Sequence, residues 1–255
     1  VPDLEERIRL KQGIEVASGV QKSLLPRLPP ALTGFDIAAA SRYCDETGGD
    51  FYDFIPITRD GRAGLGIAVG DVSGHGISAA LLMATARAFL RGRVTQPGSL
   101  ANMIGDVNRL LCRDTDVSGQ FATLFYLEIK AGADTLDWVR AGHDPALLYD
   151  PETDAIFTLK GEGMVLGVEA EMDWTANRFS DLRAGRIVAV GTDGIWESRN
   201  AHGEMFGKAR FEAAIRSRSG DAAREILVGI LSDLDAFRGG VAQSDDVTLV
   251  IVKRE

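Results

Sequence analysis

Long apolar runs are missing from this sequence. Nothing approaches the roughly 18 uncharged apolar residues that a membrane span needs, and residues 1–30 lack the basic start and apolar core of a secretion signal. The expectation is a soluble, cytoplasmic protein without membrane insertion. Cysteine is scarce as well: Cys44 and Cys112 stand far apart and form no CxxC pair, which argues against a disulfide framework and a thiolate zinc site. Free thiols in a reducing compartment are expected. Positive charge is also in short supply. Against 37 Asp and Glu there are 28 Lys and Arg, a net charge of -9, and the basic residues are scattered rather than gathered in a stripe. That distribution argues against nucleic acid as a partner. If the protein acts on phosphate, cations must offset its own field. An internal repeat, a low-complexity tract and the Gly-Lys-Ser/Thr of a P-loop are absent too.

What is present is the balance of an ordinary globular domain: 255 residues, 45% hydrophobic and 25% charged, enough to bury a full core. The segment Asp3 to Leu25 reads as a helix, with Leu10, Ile14, Ala17, Gln21 and Leu24 at helical spacing before Pro26, Pro29 and Pro30 end it. It is expected either to pack on its own domain or to be the tail of a signalling helix from a missing upstream domain. Short β-like runs follow: Phe35 to Tyr43, Phe51 to Ile57, Leu65 to Val69, Thr123 to Ile129, Leu136 to Arg140, Ile187 to Val190 and Val247 to Val252. Two helix pairs separate them. Ile77 to Arg91 and the Leu100, Ile104, Val107, Leu111 stripe form one; Phe206 to Arg216 and the Ala223, Leu227, Ile230, Leu234, Phe237 stripe form the other. Strands in runs with helix pairs between them predict an α+β layered domain with antiparallel sheets rather than a βαβ alternation.

Four acidic motifs stand at strand boundaries. Gly48-Gly49-Asp50-Phe51-Tyr52-Asp53 and Ser244-Asp245-Asp246 each open a strand; Asp71-Val72-Ser73-Gly74-His75-Gly76 and Thr192-Asp193-Gly194 each follow one. Antiparallel pairing is expected to bring them to one sheet edge. Singly, each motif is ordinary turn chemistry. Together, the carboxylates would repel strongly unless protonated or neutralised by cations. With no cysteine or paired histidines beside them, an all-oxygen site favours hard Mg²⁺ or Mn²⁺ over zinc.

These motifs, with Ala141-Gly142-His143-Asp144-Pro145 and Glu197 after Thr192-Asp193-Gly194, occur in an order that resembles the protein phosphatase 2C family, specifically its bacterial SpoIIE and RsbU branch. Val20 to Pro26 resembles that branch's opening segment. The resemblance implies two antiparallel β-sheets packed face to face as a sandwich with helices on both outer faces. It divides the chain into residues 1–30, a linker or regulatory helix, and residues 31–255, the phosphatase domain. It implies two cations, with Asp71 as their shared ligand, Asp50 and the Val72 carbonyl on the second, and Asp193 and Asp245 on the first. These four aspartates are the expected catalytic set. The implied activity is hydrolysis of a phosphoserine or phosphothreonine monoester by a metal-activated water, with a phosphorylated STAS-domain anti-anti-sigma factor as substrate in bacterial partner switching. Self-association through the N-terminal helix is a further expectation.

Other residues carry two readings each. Asp53 and Asp246 either orient waters and neighbouring ligands or lie on the solvated surface. The eukaryotic branch has a histidine two residues after its bridging aspartate, where this chain has Ser73. His75 comes two residues later, and a turn or helix-start role competes there with an acid role. A turn role is expected of Ser73, and a structural role of His143. Gly74 and Gly76 flank a helix start that either offers N–H groups to phosphate or simply turns the chain. No residue matches the phosphate-binding arginine of the eukaryotic branch, Arg42 being merely nearby in sequence. The competing functions are a catalytically idle phosphoprotein-binding domain, whose signature would be a lost metal ligand, and a two-metal phosphodiesterase, which would want a basic groove.

Overall fold

The computed structural model describes residues 2–255, with side chains from Glu6 onward. The chain opens with α1 (Pro2–Leu24), followed by β1 (Phe35–Arg42), β2 (Phe51–Arg59) and β3 (Arg62–Val72). The first helix pair is α2 (Gly76–Val94) and α3 (Leu100–Thr115). Then come β4 (Ala122–Lys130), β5 (Leu136–Ala141), β6 (Ala146–Asp150), β7 (Ala155–Leu159), β8 (Asn177–Phe179) and β9 (Ile187–Gly191). The second pair, α4 (Gly207–Ser217) and α5 (Ala223–Arg238), precedes the last strand β10 (Val247–Arg254).

The strands form two five-stranded antiparallel sheets, ordered β1-β10-β9-β6-β7 and β2-β3-β4-β5-β8. Strand residues alternate between faces, and here both faces are buried. On β3, Leu65, Ile67 and Val69 point into the core between the sheets, while Ala68 and Val72 point to the core under α2 and α3. On β10, Val250 and Val252 point between the sheets, while Leu249 and Ile251 lie under α4 and α5. Three apolar layers therefore hold an α-β-β-α sandwich, the expected fold class. Because both faces are covered, the strands read as near-continuous apolar runs rather than clean alternations.

Strands β6, β7 and β8 escape the sequence reading. All five residues of β6 are buried, so Ala-Leu-Leu-Tyr-Asp shows no period, and β8 spans only three residues. The acidic motifs also distribute differently from expectation. They belong not to one sheet edge but to two sheets: β2 pairs with β3 in one, and β9 with β10 in the other. The β2–β3 hairpin turns through Asp60 and Gly61, with φ of 52° and 73°, the left-handed pair that a two-residue hairpin requires. This tight turn sets a register in which Phe51 faces Gly70. Asp50 and Asp71, one step outward on each strand, therefore face each other. Among the described residues, no helix is long and apolar enough to cross a membrane.

Candidate active site

Strand parity decides which acids meet. Tyr52 and Phe54 of β2, like Val69 of β3, fill the inter-sheet core, and Asp50 and Asp71 continue those two rows toward the open end of the sandwich. Thr192 continues the row of Val188 and Val190 on β9, and Thr248 and Asp246 continue that of Val252 and Val250 on β10. Side chains of both sheets thus converge at one end of the gap. The Thr192 hydroxyl donates to Asp50 Oδ2 at 2.7 Å, a hydrogen bond that crosses between the sheets. Asp50 itself is 2% exposed.

The backbone before Asp50 runs very close to the other motifs. A Cβ on Gly49 would lie 2.3 Å from the Val72 carbonyl oxygen, and one on Gly48 1.8 Å from Asp246 Oδ2. Only glycine fits at either place. Asp246 is buried and accepts from the Cys44 N–H at 2.9 Å and the Asp50 N–H at 3.4 Å. Its side chain therefore fastens the loop that presents Asp50, which excludes the surface reading.

The site's electrostatics are one-sided. Burial, then the neighbouring Asp193, Asp245 and Asp246, push the Asp71 carboxyl up to about 7. Burial and then Asp71 hold Asp50 well above the usual carboxylate range, against the opposing bond from Thr192. Asp193 is raised by burial and then by Asp245, Glu197 and Asp144, and Asp245 by burial and by Asp246, though the Asp246 N–H donates to it. Among the described residues, Asp50, Asp71, Asp193, Asp245 and Asp246 form no ion pair, whereas Asp144 pairs with Lys208 and Asp53, three residues from Asp50, holds two arginines. Asp71 and Asp193 line a cavity of about 190 Å³ with Thr123, His143, Asp144 and Thr192.

No three His, Cys, Asp or Glu side chains among the described residues close into a complete metal-ligand set. The donors present are nonetheless all oxygen, uncompensated and gathered around an open space. That arrangement fits cations of the Mg²⁺ type, which keep several waters and bind through one or two carboxylates, better than a closed tetrahedral zinc site.

The remaining expectations sort clearly. Asp53 lies on the opposite face of β2 from Asp50, with Phe51 and Ile55, and its fully buried carboxylate stands 2.7 Å from Arg91 Nη1 and 3.1 Å from Arg87 Nε. It clamps α2 to the sheet, so neither sequence reading of Asp53 holds. His143 is buried between the sheets. Its Nε2 lies 3.2 Å from the Gly191 carbonyl, so that nitrogen donates and Nδ1 accepts from the Thr123 hydroxyl at 2.8 Å. Burial pushes its pKa down to about 4, leaving a neutral strut between β4 and β9. Ser73 Oγ accepts from the Phe121 N–H at 2.9 Å. His75 occupies the N-cap position of α2 without a capping hydrogen bond from its side chain.

Two contributors carry no local signal in the sequence. Thr192 is read only as part of an Asp-Gly turn, and Gln21 only as a position on a helical stripe. The Gln21 amide, 3% exposed, donates to the Gly48 carbonyl at 2.6 Å and accepts from the Gly48 N–H at 3.2 Å. The Ser18 hydroxyl donates to the Glu46 carbonyl beside it. α1 is thereby bonded to the loop that carries Asp50.

A two-sheet sandwich with helices outside and unpaired carboxylates from both sheets at one end is the architecture of a PP2C-type phosphatase. The pattern of the family described as Stage II sporulation protein E (SpoIIE) matches residues 61–255. The chain belongs to the SpoIIE family of PP2C-type protein serine/threonine phosphatases, a metal-dependent class. It is 27% identical over 247 residues to the phosphoserine phosphatase RsbU of Bacillus subtilis, covering 96% of this chain and 71% of that protein. It is 26% identical over 194 residues to the phosphoserine phosphatase RsbP of the same organism, covering 75% of this chain and 47% of that one. The chain thus spans less than half of the second relative. Among solved structures, the SiaA-PP2C domain of Pseudomonas aeruginosa superposes with a TM-score of 0.84 at 22% identity, covering 98% of this chain and 99% of that domain.

Proposed function

We propose that this chain hydrolyses phosphoserine or phosphothreonine monoesters on a protein, with Mn²⁺ or Mg²⁺ held two per domain. The observation that carries the reading is the convergence of Asp50, Asp71, Asp193 and Asp245 from two sheets without one counter-charge among them. Asp71, which feels the charge of Asp193 and Asp245 and faces Asp50 one step beyond the Phe51–Gly70 pair, would be the ligand shared by the two. Asp50 and the Val72 carbonyl would hold the second cation, and Asp193 and Asp245 the first. When bound, the cations supply a water of lowered pKa and offset charge on the phosphoryl oxygens. The chain's own part is to position. Thr192 orients Asp50, Asp246 fixes the Gly48–Asp50 backbone, and neutral His143 holds the cavity wall. Ser73, engaged with Phe121 and lacking a base, is not a nucleophile.

The substrate in this reading is a phosphorylated STAS-domain anti-anti-sigma factor in cytoplasmic bacterial partner switching, a proposal supported by the kinship with RsbU and RsbP. Residues 1–30 act as the regulatory helix of the phosphatase domain 31–255 and carry the signal of an upstream sensory domain. Self-association of this helix uses its outward apolar residues, since Leu10, Val16 and Val20 are exposed while Gln21 bonds its own domain.

The test is phosphate release from a phosphoserine peptide with Mn²⁺, after exhaustive chelation, and from a phosphodiester. Release is expected only with metal and far more slowly from the diester. Undiminished turnover after chelation would remove the mechanism, comparable diester rates would favour a phosphodiesterase, and binding without turnover would favour an idle regulatory domain.

A further inference from the structure

Beside the aspartate cavity, on the helix-covered side of β9, is a second cavity of about 110 Å³. Its origin is a taper. The helix-facing residues of β9 shrink toward the active-site end, from Ile187 to Ala189 to Gly191, while Trp196 and Phe211 span the space above with ring centroids 5.9 Å apart. Leu147 and Pro145 complete an apolar wall. The polar side of the lining is Thr158, exposed on β7, with Lys208 and the half-buried Glu212 of α4.

The two cavities are neighbours along both chains that wall them. Asp144 lines the aspartate cavity and Pro145 this one; Thr192 and Asp193 line the former and Gly191 the latter. Lys208 joins them, lying 4.9 Å above the Trp196 ring and donating to Asp144 Oδ1 at 2.8 Å. It is a cation at the rim of an otherwise acidic site, placed between the two cavities. At about 110 Å³ the space is smaller than the ~150 Å³ that takes a benzene ring, so against its apolar wall it suits a branched aliphatic side chain and rejects tryptophan.

We propose that this cavity is a specificity subsite that receives an aliphatic side chain, leucine or one of similar size, lying a few residues from the phosphoserine of the substrate protein, with Lys208 over its mouth. The proposal rests on the phosphatase reading above. Filling such a pocket changes kcat/KM by about 10- to 200-fold, whereas a substrate with no flanking residues gains nothing from it.

The experiment uses the whole chain with saturating Mn²⁺ and phosphoserine nonapeptides in an alanine background, with one leucine walked through each flanking position. p-Nitrophenyl phosphate is the reference. One position, or two adjacent ones, should raise kcat/KM about tenfold or more over the all-alanine peptide. Thr158→Phe, which plugs the mouth from an exposed position, should reduce that gain to under about twofold while p-nitrophenyl phosphate turnover and melting temperature stay put. Glu212→Phe, entering from the α4 side, is the second plug if the first does not fold. A flat leucine series on an enzyme active toward p-nitrophenyl phosphate overturns the subsite alone, as does a gain that survives a folded plug variant. Failure to release phosphate from every substrate, the reference included, overturns the phosphatase reading and the subsite with it.

Discussion

At Asp71, an exchange for asparagine keeps the volume and replaces one anionic oxygen by an amide. Because this carboxylate sits within the field of Asp193, Asp245 and Asp246, turnover with limiting Mn²⁺ should fall by about 100-fold or more, on the scale of a strong metal-site lesion. Asp193→Asn and Asp245→Asn should be partly rescued by high Mn²⁺ in the same titration. Asp53→Asn should behave differently. It leaves Arg87 and Arg91 facing a buried neutral group, so its signature is stability: a loss of about 3 kcal/mol by chemical denaturation, with the Mn²⁺ midpoint unmoved. His143 makes a pH prediction. Its folded pKa, about 4, lies below the ordinary 6.5, so the unfolded chain takes up a proton first as pH falls. Stability from this group is full above about 6.5 and is lost toward 4, up to about 3 kcal/mol. The stability advantage of the parent over His143→Gln should shrink across that window; a constant difference would mean that the imidazole is not held neutral.

The link between α1 and the Asp50 loop yields a prediction at the level of elements. Gln21→Ala removes both bonds to Gly48 and frees a loop whose glycines lie against Val72 and Asp246. The Mn²⁺ concentration for half-maximal activity should rise several-fold with little change in kcat at saturation, and an unchanged midpoint would reduce α1 to a passive cover. Val16→Glu with Val20→Glu tests the outward face: the pair should lower any concentration-dependent sedimentation and leave the metal midpoint alone. Elements with their own period were legible in the sequence. α3 and α5 show their buried stripes. What was not legible depends on partners distant along the chain. Gln21 finds Gly48 across 27 positions and Thr192 finds Asp50 across 142, and neither neighbourhood hints at the other. Asp50 and Asp53 share one motif, and only the sheet's two faces separate a candidate ligand from an ion-paired anchor.

For the whole molecule, gathering like charges between two sheets makes metal-free stability a function of pH. The Asp71 carboxyl is raised from 3.8 to about 7, and Asp50, Asp193 and Asp245 are raised with it. A raised carboxyl contributes stability that is complete below the unfolded pKa and lost as pH climbs through the folded one. His143 contributes the opposite slope over the same window, so the readout is a difference: the chelated parent should lose melting temperature relative to its Asp71→Asn variant between about pH 4 and 7. Added Mg²⁺ or Mn²⁺ should restore the loss near pH 7 and do little near pH 4, where protons already occupy the carboxyls. A difference between parent and Asp71→Asn that does not change with pH would mean that Asp71 is not raised by its neighbours.

The pairing of β1 with β10 sets a schedule for the newborn chain. Roughly 200 residues separate these partners, so at ribosomal speeds of ~5–20 residues per second β1 waits ~10–40 s for its neighbour. The hairpin that carries Asp50 and Asp71 can close long before then, because its contacts are local. Asp245 arrives only with the final strand. Of the four aspartates proposed to hold the cations, two thus exist early and two late, and on that reading a nascent chain stays silent until β10 has slotted into the sheet.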